Sequence, residues 1–424
     1  MKVGICSLGC KVNIYESEYI TNILKDNGYE IVPFSSYADI YIINTCTVTN
    51  TSDSKSEKMI NRARKQNKDA IVIAMGCHSQ IKGNIDSADI TIGNKDKSKI
   101  IELIEEYIKN KQKITRIYNL ENVPFEDMTI TKFNSHTRAF VKIEDGCDAY
   151  CSYCIIPYAR GCIRSKDKNK VIEEITSLVK SGYKEIVLTG IHTGKYGKNT
   201  NYNLENLLKD IIKIPNLYRI RISSIEINEI TDGIIKLIKE NSKIAKHLHI
   251  PIQSGSNKIL KLMNRKYNIE YFKQRIDLIR SSIKDISITT DLIVGFPNEN
   301  EEDFEETLNT LKQIKFTKIH TFPYSNRKNT PASTMPNQVD SKTKKERTKK
   351  VIALSDELEN SFYTKNLNKE YEVLIEQNKS NKSYGYTTNY IPIVIEENIP
   401  SNKIVLVKLT KIDNKKVIST IQLI

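Results

Sequence analysis

The sequence predicts an α/β protein in three parts: an N-terminal βαβ parallel-sheet domain, a partial (β/α)6 barrel and a small C-terminal β-barrel. Three observations predict it. A chain of 424 residues exceeds one ordinary domain. Over most of its length β-rich runs alternate with helical runs, the order of parallel sheets. After a strongly basic helical stretch near residues 340–366 the apolar period then changes from 3.6 to 2.

The first part is expected over residues 1–112. Residues 2–8, 39–43 and 69–75 read as strands, with helical patterns from about Glu16 to Gly28 and from Ser54 to Gln66. The strands run into Gly9-Cys10, Asn44-Thr45-Cys46 and Gly76-Cys77. Loops at the carboxyl ends of parallel strands converge on one crevice. Cys10, Cys46 and Cys77 are therefore expected to meet although thirty or more residues separate each from the next. The alternative is three unrelated buried thiols, since free cysteine is a common core residue. Their shared position favours a site. Cys6, inside the first strand, reads as a small buried hydrophobe.

The second part is expected over residues 133–360. Its strands read as 138–144, 185–189, 219–225, 247–252, 287–295 and 317–324. The helices between them include 169–181, 204–213, 228–240, 270–283 and 300–314. Chemistry in such a barrel belongs at the carboxyl ends of the strands. Directly after the first strand comes Gly146-Cys147-Asp148-Ala149-Tyr150-Cys151-Ser152-Tyr153-Cys154, with the spacing C-x3-C-x2-C. Three thiolates on one loop can hold three irons of a [4Fe–4S] cube and leave the fourth open to an exchangeable ligand. A zinc site would pair a close cysteine pair with a second pair or with histidines, and none lies nearby. Small residues close other strands: Gly190 in Thr189–Gly194, Gln253, Ser254 and Gly255 after the fourth, and Gly295 in Val294–Pro297. They would let backbone approach a cofactor. His192 and His249 read as hydrogen-bonded structural histidines, and Cys162 as incidental.

The third part is expected over residues 365–424, with strands at 370–376, 384–397 and 403–411. Short strands with Gly385 suggest a barrel of oligonucleotide-binding type. Tyr384, Tyr386 and Tyr390 interleave with Lys379 and Lys382. They suit stacking on unpaired bases, or equally the core of a chain that has no tryptophan.

Bulk properties bound the rest. No run of eighteen apolar residues is present and the N-terminus does not resemble a secretory signal, so cytoplasm is expected and no membrane. Eight cysteines in a reducing compartment argue for metal or catalysis rather than disulfides. The net charge of +14 favours a polyanionic partner, although Lys, Asn and Ile are abundant everywhere here.

The motifs carry a resemblance. Gly9-Cys10-Lys11-Val12-Asn13, Asn44-Thr45-Cys46-Thr47-Val48-Thr49, Gly76-Cys77, the C-x3-C-x2-C loop with Ile155–Gly161, Gln253–Ser256 and Phe322–Ser325 resemble the radical S-adenosylmethionine (SAM) methylthiotransferases. Cys-Lys-Val-Asn and Asn-Thr-Cys-Thr-Val-Thr look like the branch acting on N6-threonylcarbamoyladenosine at tRNA position 37. His78 and Cys162 depart from the family pattern. The resemblance implies that Cys147, Cys151 and Cys154 hold a [4Fe–4S] cluster whose open iron binds SAM. It implies a second [4Fe–4S] cluster on Cys10, Cys46 and Cys77, and a C-terminal TRAM domain that binds RNA. SAM would lie against Gly190, Gln253, Ser254, Gly255 and Gly295. The implied partners are the tRNA anticodon stem-loop and an electron donor that the sequence does not identify. The implied reaction replaces C2–H of the base by a methylthio group. That bond has no acidic proton and no leaving group, so no acid–base or nucleophilic residue is assigned. Rival readings are the same chemistry on isopentenyladenosine or on a ribosomal-protein aspartate, and a non-catalytic iron–sulfur RNA sensor.

Overall fold

Ile40–Thr45 and Ile71–Gly76 are buried along their whole length, as strands covered on both faces must be. They lie at the centre of a sheet in a computed structural model that describes residues 1–133 and 137–422. The N-terminal elements are β1 (Lys2–Ser7), α1 (Lys11–Asp26), β2 (Glu30–Val32), β3 (Ile40–Thr45), α2 (Asn50–Gln66), β4 (Ile71–Gly76), α3 (Cys77–Lys82), β5 (Ile90–Ile92), α4 (Ile100–Asn110) and β6 (Ile114–Arg116). All pairings are parallel, in the order β2-β1-β3-β4-β5-β6. The parallel sheet is as expected but larger. β2, β5 and β6 have three residues each, too few to show alternation in sequence. β6 carries the sheet to Arg116, past the boundary expected at 112. α2 starts at Asn50 rather than Ser54, because the Thr49 side chain accepts the Ser52 amide and caps it.

The middle region holds β7 (Ala139–Lys142), β8 (Glu144–Asp145), α5 (Ile156–Arg160), β9 (Arg164–Ser165), α6 (Lys168–Lys180), β10 (Glu185–Thr189), α7 (Leu204–Ile211), β11 (Arg219–Ile222), α8 (Asp232–Glu240), β12 (His247–His249), α9 (Asn257–Leu262), α10 (Ile269–Ser282), β13 (Ser287–Val294), α11 (Glu301–Ile314) and β14 (Lys318–Pro323). Two parallel sheets, β7-β10-β11 and β12-β13-β14, meet through the bridges Ile220–Ile244 and Ser224–His249. β7 and β14 stand at the two ends of that order, so among the described residues the barrel is open between them. Alternation sends Ile186, Leu188, Ile220, Ile222, Leu248 and Ile288 into the core. The other face carries Glu185, Arg219, Arg221, His247, His249, Thr289, Asp291 and His320, an interior that is polar rather than apolar.

α12 (Ser341–Asn366), capped by Asp340, leads to β15 (Glu370–Lys379), β16 (Lys382–Thr387), β17 (Pro392–Ile395), β18 (Ile404–Asp413) and β19 (Lys416–Ile421). They close as β15-β16-β17-β19-β18. The strand expected over 384–397 is two strands, parted by a turn in which Tyr390 is left-handed. The last two residues of the expected 365–424 lie outside the described residues.

This small barrel abuts the amino ends of the larger barrel's strands. Asn389 donates to the Asp285 carbonyl at 3.1 Å, Lys369 pairs with Asp285 at 2.7 Å, and Asn402 donates to the Gly182 carbonyl at 2.9 Å. Tyr390 is stacked between Tyr386 at 4.5 Å and His247 at 4.6 Å, with the Arg221 guanidinium 4.5 Å from its ring. Of the two readings of these tyrosines, packing holds for Tyr386 and Tyr390. Tyr384 is half-buried beneath Lys416.

Candidate metal centres and the charges between them

The barrel trio sits on one loop. Gly146 before it has φ +89°, and a Cβ there would lie 2.0 Å from the Cys162 carbonyl, so only glycine lets the loop leave β8 in this direction. The Cys147 amide donates to the Gly161 carbonyl at 3.0 Å and the Cys154 amide to that of Cys151 at 2.9 Å. Cys147 Sγ is 3.4 Å from His192 Nδ1, and Arg265 Nη1 lies 3.4 Å from Cys151 Sγ. Burial pushes Cys147 and Cys154 up to about 12, and the neighbouring thiols add to the shift.

The N-terminal trio is assembled by the sheet. Gly9, beside Cys10, has φ +96°, and a Cβ there would lie 2.9 Å from Cys46 Sγ. Cys77 opens α3. Its Sγ accepts from Arg160 Nε at 3.2 Å and from Asn94 Nδ2 at 3.5 Å. Burial raises Cys10 and Cys46, each of which also feels Cys77. The structure therefore brings the three together, as it does the other three.

The donor chemistry fits iron–sulfur cubes. All eight cysteines are free. Among the described residues no three His, Cys, Asp or Glu side chains are arranged to hold a single metal ion, whereas a cube spreads its thiolates wider than one ion does. Charge fits as well. Between the trios Lys97, Lys142, Arg160 and Arg164 surround Glu16 and Asp145. All six are buried or nearly so, and four cations face two carboxylates. Burial alone would raise Glu16, but Arg160, Lys142 and Lys97 hold it well below the carboxylate range. The surplus positive charge touches Cys77 through Arg160, and deprotonated thiolates are what would balance it.

Arg160 joins everything. It ends α5, six residues after Cys154, bonds Glu16 and Asp145 at 3.0 Å, and donates to Asn13 Oδ1 at 2.7 Å. In the sequence it stands out only as part of a motif, as does Lys11. Lys11 begins α1 immediately after Cys10 and keeps solvent access while protein surrounds it on most sides. Burial pulls its ammonium down to about 8, and Arg138 and Arg221 add like-charge repulsion against the attraction of Cys10 and Asp291.

The strand-end residues expected to meet a cofactor have protein neighbours. A Cβ on Gly190 would lie 2.8 Å from Glu144 Oε2. Gly255 lies against the Thr307 backbone, where a Cβ would come within 2.6 Å, and its amide donates to Thr307 Oγ1. Ser254 is buried beside it, 3.5 Å from the same hydroxyl. Gly295, at φ +69°, faces Lys344. Gln253 adopts φ +64° and bridges β13 through its amide to Asp291 and its carbonyl to Ile293. His192 is 2.6 Å from Glu229, and His249 contacts Thr289 and Asp291 at 2.9 and 3.2 Å, so both histidines are held in place by neighbours. Glu144 accepts the His192 amide at 2.6 Å while its Oε1 has no hydrogen-bond partner among the described residues. Burial raises its pKa to about 8.

A parallel open barrel with three thiols just past its first strand is the architecture of radical-SAM enzymes. Residues 141–311 match the radical SAM superfamily, and residues 2–91 match a family described as uncharacterized protein family UPF0004. The fold is similar to that of a radical SAM methyltransferase from Kitasatospora setae, with TM-score 0.58 and 13% identity over 78% of this chain and 73% of that one. The chain is 44% identical to a threonylcarbamoyladenosine tRNA methylthiotransferase of Bacillus subtilis, over 96% of this chain and 94% of the relative. It is 40% identical to the protein of that name in Aquifex aeolicus, over 93% and 96%. A tRNA-2-methylthio-N(6)-dimethylallyladenosine synthase of Carboxydothermus hydrogenoformans is 33% identical over 96% of each. The chain belongs to the radical-SAM methylthiotransferase family, in the branch that its threonylcarbamoyladenosine-named relatives define.

Proposed function

We propose that the protein places a methylthio group on C2 of N6-threonylcarbamoyladenosine at position 37 of tRNA, in the cytoplasm. Cys147, Cys151 and Cys154 would hold the cluster that binds SAM, and Cys10, Cys46 and Cys77 an auxiliary one. Gly190, Gln253, Ser254, Gly255 and Gly295 would shape the SAM side of the barrel. Bound there, the clusters and SAM supply the one-electron and sulfur-transfer chemistry that an unactivated C–H bond requires. The chain's own residues orient and shield. Arg160 ties Cys77 to Asp145, just before the barrel trio, and Tyr386 and Tyr390, stacked on His247, cover the amino end of the barrel. A base next to the anticodon, in a loop, can be unstacked at modest cost and presented to that interior. An electron donor is required in addition.

One observation favours threonylcarbamoyl over dimethylallyl adenosine. Lys11, next to Cys10, feels Arg138 and Arg221 as like charges and Asp291 as an opposite one, a cationic setting that suits a carboxylate-bearing substituent better than a prenyl group. Those charges would suit an aspartate as well, and it is the tRNA-nucleoside names of the relatives that disfavour a ribosomal-protein substrate. Nucleoside mass spectrometry of tRNA from a deletion strain is the test. Loss of the methylthio form of threonylcarbamoyladenosine, restored by the gene, supports the reading; loss confined to the dimethylallyl nucleoside overturns it.

A further inference from the structure

We propose that the cleft between α2 and α12 holds the unpaired RNA beside the target base, with Phe322 stacking on one base and Lys344, Lys345 and Lys349 on its phosphates. The inference rests on the tRNA reading above and assigns it a surface.

The cleft has a volume of about 760 Å³ and is lined by Thr49, Asn50, Phe322, Tyr324, Lys345 and Lys349 among others. Phe322, near the carboxyl end of β14, is 45% exposed. A large ring left open beside cations, at the catalytic end of a barrel, is a stacking platform lacking its partner. Tyr386 and Tyr390, the sequence's other candidates for stacking, are already occupied by each other and by His247.

Two of the three lysines are similarly uncommitted. On α12, Arg347 turns inward to Glu299 and Glu301, and Lys350 reaches Glu301. Lys345 and Lys349, one turn apart, face the cleft and pair with no carboxylate among the described residues. Lys344 lies over the Tyr324 ring at 5.0 Å. Phosphates are the missing counter-charges.

The opposite wall is rigid. The Asn50 amide donates to Ser325 Oγ at 3.1 Å, Asn50 Nδ2 donates to the Asn326 carbonyl at 3.0 Å, and Arg327 reaches Thr47 and Asp53 at 2.7 Å. Thr49 is three residues after Cys46, so this wall continues directly into the N-terminal trio. A nucleotide seated in the cleft therefore has its neighbour beside the segment that carries Cys46.

The test is binding of a fluorescent anticodon stem-loop RNA to the full chain without SAM, across a salt series. Phe322→Ala should weaken binding about ten-fold or more, and Phe322→Tyr should stay within about two-fold of the parent. The double substitution Lys345→Ala with Lys349→Ala should reduce the slope of log affinity against log salt by about 1.4. Lys109→Ala on α4 is the control and should change nothing. Unchanged melting temperatures tie these losses to the surface. If the parent binds RNA and either Phe322→Ala or the lysine pair binds identically, the cleft is not the site. If the parent binds no RNA at any salt, the tRNA reading itself fails.

Discussion

The two thiol trios are built by opposite means. Cys147, Cys151 and Cys154 lie within eight residues, on a loop that Gly146 aims and that needs only one strand before it. Cys10, Cys46 and Cys77 are brought together only when β1, β3 and β4 pair in parallel register. One site is a local property of the chain and the other a property of the topology. Their surroundings differ too. Glu144, a carboxyl whose pKa burial raises, lies beside the first, while Glu16 and Asp145 with their cations lie between the two and reach the second through Arg160.

The largest expected effect separates the two directly. Replacing Cys147, Cys151 and Cys154 by Ala should abolish SAM cleavage. Replacing Cys10, Cys46 and Cys77 by Ala should leave 5′-deoxyadenosine formation intact, stop methylthio transfer and lower the iron content from about eight to about four per chain. Anaerobic reconstitution with iron counting reads both. Loss of all SAM cleavage in the second variant would mean the trios do not divide the work.

Next comes the link between them. Arg160→Met strips a guanidinium from Glu16, Asp145 and Asn13 and leaves the carboxylates buried with fewer cations. Breaking a buried pair in this way costs about 3–5 kcal/mol. Urea denaturation of the metal-free protein should show it. The same variant should retain less iron than Arg160→Lys, because only the N-terminal trio receives a hydrogen bond from this side chain.

These contrasts mark what was legible in the sequence. The barrel trio was readable because its spacing lies within one loop, and the other because strand ends in a parallel sheet converge. The charges between them were not. Glu16, Lys97, Lys142 and Arg160 are scattered along the chain, and each looks like an ordinary solvated residue of a helix or strand. Nothing local distinguishes a buried guanidinium from an exposed one. β2, β5 and β6 escaped for lack of length, and β19 likewise went unseen near the C-terminus. Tyr386 and Tyr390 were ambiguous for a physical reason, since a ring stacks on a base and on His247 by the same forces.

Protonation gives a smaller test. Burial raises Glu144 to about 8 from an ordinary value of 4.5, so in the folded state it is neutral where the unfolded chain would ionise it. Its contribution is fully present below about 4.5 and is lost as pH rises toward 8. Glu185 shows the reverse sign. Burial would raise it, but Arg221 and Arg219 lower it to about 2, so its contribution is lost as pH falls from 4.5. Between pH 5 and 8 the metal-free protein should therefore lose on the order of a few kcal/mol that Glu144→Gln does not lose. A pH profile that is identical in the variant would locate the effect elsewhere.

The smallest expected effect bears on substrate choice, and it concerns the residue next to Cys10. Lys11 directly follows Cys10, where Arg138 and Arg221 repel it, Asp291 attracts it, and no carboxylate among the described residues forms an ion pair with it. An ammonium so placed is costly without an anion. If the substrate's threonyl carboxylate is that anion, Lys11→Met removes a charged hydrogen bond worth about 1.5–3 kcal/mol, which is ten-fold or more in affinity. Iron content and SAM cleavage should be unchanged, because the side chain is a ligand of neither trio. The apparent KM for tRNA carrying the threonylcarbamoyl group should rise, while tRNA carrying unmodified adenosine at that position should bind equally to parent and variant. A uniform loss on both RNAs would assign Lys11 to the phosphate backbone instead, and selectivity for the threonylcarbamoyl group would then have to come from other residues.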